Sequence, residues 1–201
     1  MDKQKIDDVV RYYDRFYNEV GRPKRTSIGC YNATNLRDAQ ILFDHLYKEQ
    51  FLDPRDVCVD AGGGDGRIAA LLSVYGVNAV SIEADAKMHK LAEKRIQELH
   101  SIGVLPYAPK RANLQCIEGN FLDTEMYTQK LHLSARLINI VFNACTNEAA
   151  TARFVKQQMR NETYLITMQS NGAQAEQILR RVQTFRDCTG RYIGSLFVNQ
   201  Y

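Results

Sequence analysis

No run in this chain of 201 residues approaches the roughly 18 consecutive apolar residues that a membrane-spanning helix needs, and the opening MDKQKIDDVV has no apolar stretch of the secretory kind. The chain is therefore expected to be intracellular, cytoplasmic or nuclear, with no membrane partner. Cysteine is sparse: Cys30, Cys58, Cys116, Cys145 and Cys188 are odd in number, far apart and without a CxxC pair. That spacing indicates neither a disulfide framework nor a CxxC metal site, and the five are expected as reduced core residues. The four histidines, His45, His89, His100 and His132, fall mainly on predicted helices without ligand spacing, so they are expected to face solvent and no metal site is expected. There is no internal repeat and no low-complexity tract. Charge of one sign is missing too: 26 Lys and Arg stand against 23 Asp and Glu, a net +3 spread along the chain, which tolerates an acidic partner without demanding one.

What the chain does have is periodicity. Ile6, Val9, Val10, Tyr13, Phe16, Tyr17 and Val20 recur at helical spacing, which predicts an amphipathic helix over residues 4 to 20, stopped by Gly21 and Pro23. The polar stretch from Arg22 to Asn35 reads as a long loop, after which Asn35 caps a helix running to about Glu49. From Asp56 the pattern becomes regular. Strands are predicted at VCVDA, AVSIE, NLQCIEG, LINIVF, TYLITM and RYIGSLFV, interleaved with helices at 67–75, 85–102, 124–133, 148–160 and 172–182. Strand–helix alternation of this kind predicts an α/β fold with a doubly wound, mostly parallel sheet. Residues 1–50 then form an N-terminal helical extension with its loop, and residues 51–201 the ligand-binding domain.

The first strand runs into DAGGGDGR, residues 60–67. In an open α/β sheet the ligand sits at the carboxyl ends of the strands, where a glycine-rich first turn lets the backbone approach it closely. The dinucleotide fingerprint would need a small residue at position 67, which is Arg67, and no Gly-Lys-Ser/Thr follows to make a phosphate loop. The stretch fits D-x-G-x-G-x-G instead, with Asp60, Gly62, Gly64 and Gly66. Glu83 ends the second strand, where a carboxylate can accept both hydroxyls of a ribose. Beyond the third strand, Asn120 and Phe121 set a polar side chain beside an aromatic. The fourth strand ends at Asn143, followed by Ala144, Cys145 and Thr146.

This glycine spacing resembles motif I of the class I S-adenosylmethionine-dependent methyltransferases, whose Rossmann-like fold has a seven-strand sheet. The resemblance implies S-adenosyl-L-methionine as cofactor: Asp60 and the backbone of Gly62 and Gly64 at its amino-acid end, Glu83 at the ribose, Asn120 on the adenine edge and Phe121 on its face. From residue 27 to 170, GNFLD, IVFNACTNEA and TYLITMQS, with the loop IGCYNATN, resemble the non-SET protein lysine methyltransferases of the disruptor of telomeric silencing family. That likeness implies a protein substrate methylated on a lysine amine, with Asn143 holding the amine and Tyr31 closing the mouth as catalytic contacts. Three alternatives stay open: an RNA acceptor, suggested by Arg22, Lys24 and Arg25 near Tyr12, Tyr13 and Tyr17; a small-molecule acceptor; and a cofactor-binding member of the fold without turnover.

Overall fold

The computed structural model describes residues 2–16, 24–26, 29–105, 114–144, 147–168 and 172–200. The chain opens with helix α1 (Lys3–Asp14), capped by the Asp2 side chain on the Lys5 amide. Two short strands follow, β1 (Lys24–Thr26) and β2 (Gly29–Tyr31), paired antiparallel with Lys24 opposite Tyr31. The loop expected over residues 22–35 is thus in part a hairpin. Its polar composition hid two three-residue strands. The last part of the predicted first helix, from residue 17, lies outside the described residues.

Helix α2 (Leu36–Lys48) begins where expected, because the Asn35 side chain accepts the amides of Arg37 and Asp38. Beyond it the predicted alternation holds: β3 (Val57–Ala61), α3 (Arg67–Val74), β4 (Asn78–Glu83), α4 (Ala86–Ser101), β5 (Leu114–Glu118), α5 (Thr124–Lys130), β6 (Ile140–Asn143), α6 (Glu148–Gln158) and β7 (Tyr164–Met168). The helix predicted over 172–182 is the main correction to the fold. It is a single turn, α7 (Ala173–Glu176), followed by strand β8 (Arg180–Arg186), which pairs antiparallel with β9 (Tyr192–Val198). Ile178, Leu179, Val182 and Phe185 mimic helical spacing, while the covered positions of β8 are Arg181, Gln183 and Phe185, so its exposed-covered alternation is not an apolar-polar one. Pairing with β9 overrides the local preference.

The seven strands lie in the order β5-β4-β3-β6-β7-β9-β8, so that β8 forms one edge. The first five are mutually parallel, and β9 runs antiparallel between β7 and β8. Two apolar cores cover the two faces. One joins Ile6, Val9 and Tyr13 of α1 and Leu42, Phe43 and Leu46 of α2 to α3, to Ile96 and Leu99 of α4, and to Phe142 and Ile166 of the sheet. The other packs Val59, Ile82 and Val141 against Tyr127 of α5 and Phe154 of α6. The N-terminal helices therefore share one continuous core with the sheet. No described helix is long and apolar enough to cross a membrane.

Two expectations about single residues change. Cys58 is buried, but Cys116 is only partly covered and Cys188 is exposed on the β8–β9 turn; the side chains of Cys30 and Cys145 lie outside the described residues. His89 does not face solvent: it lies on the buried stripe of α4 with Met88, Ala92, Arg95, Ile96 and Leu99.

Candidate functional site

The glycine turn leaves the carboxyl end of β3 and lies against the carboxyl end of β4. The amides of Gly62 and Gly63 both donate to the carbonyl of Ile82 at 3.0 Å, and the Gly64 amide donates to Glu83 Oε2 at 2.8 Å. The other Glu83 oxygen accepts the Asp85 amide at 2.7 Å. Glu83 is accordingly a buried carboxylate that ties the turn to the start of α4. The three motif glycines at 62, 64 and 66 have φ of 78°, 55° and 78°, in the region that side chains rarely adopt. At Gly64 space is short as well: a Cβ would lie 2.2 Å from the Tyr31 ring, so the hairpin residue sits directly on the turn.

Asp60 is nearly fully buried (3% exposed), and so is its register partner Ser81. Asp60 Oδ2 and Ser81 Oγ both lack a hydrogen-bond partner. They lie together beneath Gly63, whose Cβ would be 2.0 Å from Ser81 Oγ and 3.1 Å from Asp60 Oδ2. Burial, followed by the charges of Glu83 and Asp65, pushes the Asp60 carboxyl up to about 8, against the opposing pull of the Ala69 amide in α3. The sign for stability follows directly. Below the ordinary carboxylate range both folded and unfolded chains carry this proton, whereas between about pH 4 and 8 only the folded chain does. The Asp60 contribution is thus fully present in acid and lost as pH rises through about 8. Asp60→Asn is expected to stabilise the ligand-free protein more at pH 8.5 than at pH 5; thermal unfolding at the two values checks this, and equal shifts would count against it.

A second charged group lies behind the turn, and motif reading missed it. Asp65 is completely buried and takes a forked pair of hydrogen bonds from Arg67, Nε to Oδ1 at 2.9 Å and Nη2 to Oδ2 at 2.8 Å. Arg95 Nη1 of α4 binds the same Oδ2. Both arginines are 96% or more buried. Arg67 also donates to the carbonyl of Thr34 at 3.0 Å, and the Tyr13 ring of α1 lies beside both guanidinium groups, with its hydroxyl donating to the Asp65 carbonyl. Burial opposes the Arg67 charge, yet the hydrogen bonds and charge of Asp65 hold its pKa above the usual value. The residue that rules out a dinucleotide fingerprint thus fastens the N-terminal layer to the turn. One signal was available in the sequence: Arg95 falls on the apolar stripe of α4, where an arginine needs a buried partner.

Of the residues expected at the site, Asp60, Gly62, Gly64, Glu83 and Tyr31 come together at the turn. Burial, and then the charge of Asp65, push the Tyr31 hydroxyl pKa up, although the hydroxyl makes no hydrogen bond of ordinary geometry. Asn120 and Phe121 follow β5, and the neighbouring Gly119 amide donates to the Glu83 carbonyl at 2.9 Å. Asn120 is exposed; its Oδ1 accepts the Leu122 amide, and the Phe121 carbonyl accepts the Tyr127 hydroxyl. Asn143 ends β6, one residue beyond the Phe142 that pairs with Asp60. Its side chain is buried, with Nδ2 donating to Thr151 Oγ1 of α6 at 2.5 Å. Asn143 therefore points to the sheet face opposite Asp60. Cys145, Thr146 and the basic residue Arg22 lie at least partly outside what is described.

No protein-family model matches this sequence, and no curated protein matches it. Solved structures do. A mutant of MtNAS in complex with S-adenosylmethionine is similar with a TM-score of 0.63 at 14% identity, over 99% of this chain and 72% of the other. A TehB-like SAM-dependent methyltransferase from Corynebacterium glutamicum gives 0.54 at 11%, covering 99% of this chain and 100% of that one. An RNA methyltransferase from Salinibacter ruber in complex with S-adenosyl-L-homocysteine gives 0.53 at 17%, over 79% and 88%. At such identities the likeness is one of fold: a Rossmann-like methyltransferase fold with a seven-strand, mostly parallel sheet.

Proposed function

We propose that this protein is an S-adenosylmethionine-dependent methyltransferase whose acceptor is a lysine amine of a protein. The observation that carries the cofactor half is the Glu83 carboxylate, held at the tip of β4 against the Gly64 amide of a turn whose three motif glycines all have positive φ. Support comes from the strand order, with β9 inserted antiparallel, and from the S-adenosylmethionine and S-adenosylhomocysteine held by similar folds. The residues present fit the cofactor: the turn admits no side chain at Gly64, and a buried carboxyl oxygen of Asp60 is left for a cationic group.

Glu83 would hold the ribose and Asn120 the adenine edge, with Phe121 on the adenine face. Bound there, the cofactor supplies a methyl group already activated by its sulfonium, so the chain's own task is alignment and exclusion of water. Tyr31, pressed on Gly64 from the N-terminal hairpin, closes the turn from above. Asn143, whose Nδ2 is held by Thr151, would offer its amide oxygen to an acceptor amine at the tip of β6. A lysine amine is neutral in only about one molecule in 2,500 at pH 7, a cost of roughly 4.6 kcal/mol that a dry site must offset. The lysine acceptor rests on the resemblance of residues 27–170 described above. A small-molecule acceptor is the second reading, favoured by the likeness to MtNAS over nearly the whole chain, N-terminal layer included.

The test incubates the protein with methyl-labelled S-adenosylmethionine and, separately, a lysine-rich protein mixture, total RNA and a low-mass metabolite extract. Label in lysine supports the proposal; label only in RNA or small molecules replaces the acceptor; no transfer and no binding removes the enzyme reading. Asn143→Ala is expected to lower kcat about 10- to 100-fold, with cofactor Kd changed by less than about threefold. The reverse pattern would move Asn143 to the cofactor side.

A further inference from the structure

The sheet face under α6 changes character at the carboxyl tips of β6 and β7. Val141, Leu165 and Phe197 stand side by side in register on β6, β7 and β9, and all three belong to the apolar core that includes Phe154 of α6. The next row on that face, one step nearer those tips, is Asn143, Thr167 and Ser195, each 1% exposed or less. The outer two have partners: Asn143 Nδ2 donates to Thr151 Oγ1, and Ser195 Oγ accepts the Tyr192 hydroxyl at 3.2 Å. Thr167 Oγ1, between them, has none. A valine would fill the same space without the cost of an unpaired buried hydroxyl, so this oxygen calls for a partner that the chain does not supply. The glycine turn occupies the tips of β3 and β4, and the strand order reverses between β3 and β6, so β6 and β7 form the other half of the crevice.

We propose that Thr167 Oγ1 and Asn143 Oδ1 together accept the two N–H groups of a neutral primary amine, so that this site methylates a lysine once and not twice. The inference rests on the reading of the acceptor as a lysine amine, and it adds a second contact and the number of methyl groups. Thr167 and Asn143 are register partners on adjacent strands. Neighbouring strands lie about 4.8 Å apart, and a nitrogen about 2.9 Å from an oxygen on each would hold the two at roughly 110°, the angle of a tetrahedral amine. An amide oxygen and a hydroxyl oxygen each accept up to two hydrogen bonds, so neither has to give up another contact. With both hydrogens anchored on the row, the lone pair is left pointing away from it. The step balances as follows: the lysine ammonium first gives one proton to solvent, and its lone pair then forms the C–N bond while the methyl's C–S bond breaks and that electron pair stays on sulfur. The positive charge passes from sulfur to nitrogen, and the product ammonium can lose a proton to solvent. The neutral methylated amine has a single N–H left. One oxygen of the row would then go unpaired in a buried place, which slows a second transfer.

The experiment incubates the full chain with S-adenosylmethionine and a lysine-rich protein mixture, then counts mono-, di- and trimethyllysine by mass spectrometry after hydrolysis. The natural chain should yield monomethyllysine, with dimethyllysine formed about tenfold or more slowly. Thr167→Val keeps the side-chain shape and removes the hydroxyl alone. Its Tm should equal or exceed that of the natural chain, and its Kd for S-adenosylmethionine should change by less than about threefold, while the rate of methyl transfer falls about tenfold or more and the preference for a single methyl shrinks. Thr167→Ser should restore both rate and preference. Dimethyllysine accumulating on the natural chain as fast as monomethyllysine overturns the proposal and leaves the lysine acceptor standing. So does a Thr167→Val chain whose rate and methyl count match the natural one. Should Thr167→Val lose Tm or fail to fold, the methyl count on the natural chain decides, a single methyl supporting the proposal and comparable amounts of both products overturning it. Methylation of RNA or small molecules with lysine left untouched removes the acceptor reading, and this inference with it.

Discussion

Asp65→Ala is expected to lower the unfolding free energy by about 3–5 kcal/mol, a loss characteristic of removing one partner from a buried ion pair. Nothing replaces the lost carboxylate: Arg67 and Arg95 are nearly sealed from water, and both turn toward Asp65. Two guanidinium groups would then face each other and the Tyr13 ring with no anion between them. For a chain of this length the loss corresponds to a fall in Tm of roughly 6–20 °C. Chemical and thermal denaturation measure it directly. Because the cost is that of an uncompensated charge, Asp65→Ala combined with Arg95→Met should recover part of it, and a single-variant loss below about 1 kcal/mol would show that water reaches the cluster.

Glu83→Ala is expected to act on binding and folding together. Sequence position alone suggests a ligand-facing side chain that the fold could spare. Instead, its two oxygens hold the amides of Gly64 and Asp85, and each amide left without a partner costs about 1–3 kcal/mol. The same carboxylate accepting ribose hydroxyls contributes about 1.5–3 kcal/mol per charge-assisted bond, so affinity for S-adenosylmethionine should fall on the order of 100-fold. Glu83→Gln separates the two effects, because its single amide oxygen can keep one backbone donor. It should recover part of the lost Tm and little of the affinity. Wild-type affinity in both variants would remove the ribose assignment.

The sheet was legible because its interior strands are short apolar runs separated by strong punctuation. Asp60, the glycines and the cap Asn35 each leave a local mark that survives in the folded chain. Glycine spacing carried the most: positions 62, 64 and 66 are the ones with left-handed φ, whereas Gly63 is needed for the closeness of Ser81. What was not legible depends on partners distant in the chain. Strand β8 owes its shape to β9, and the hairpin at Lys24–Tyr31 is polar in every way that suggests a loop. Arg95 on the apolar stripe of α4 announces that it needs a buried partner, but nothing local says that the partner is Asp65, 30 residues away. Similarly, the orientation of Asn143 toward Thr151 is set by which face α6 covers, a fact of packing and not of spacing.

Strand β8 is the margin of the sheet, with no strand beyond it among the described residues. Arg180 and Arg186 stand exposed along it, and its two register irregularities disturb the straight ladder that another chain would need to zip onto. A sheet continuing across two molecules would have to strip water from those guanidinium groups, so the margin is guarded against runaway aggregation by charge and by crookedness.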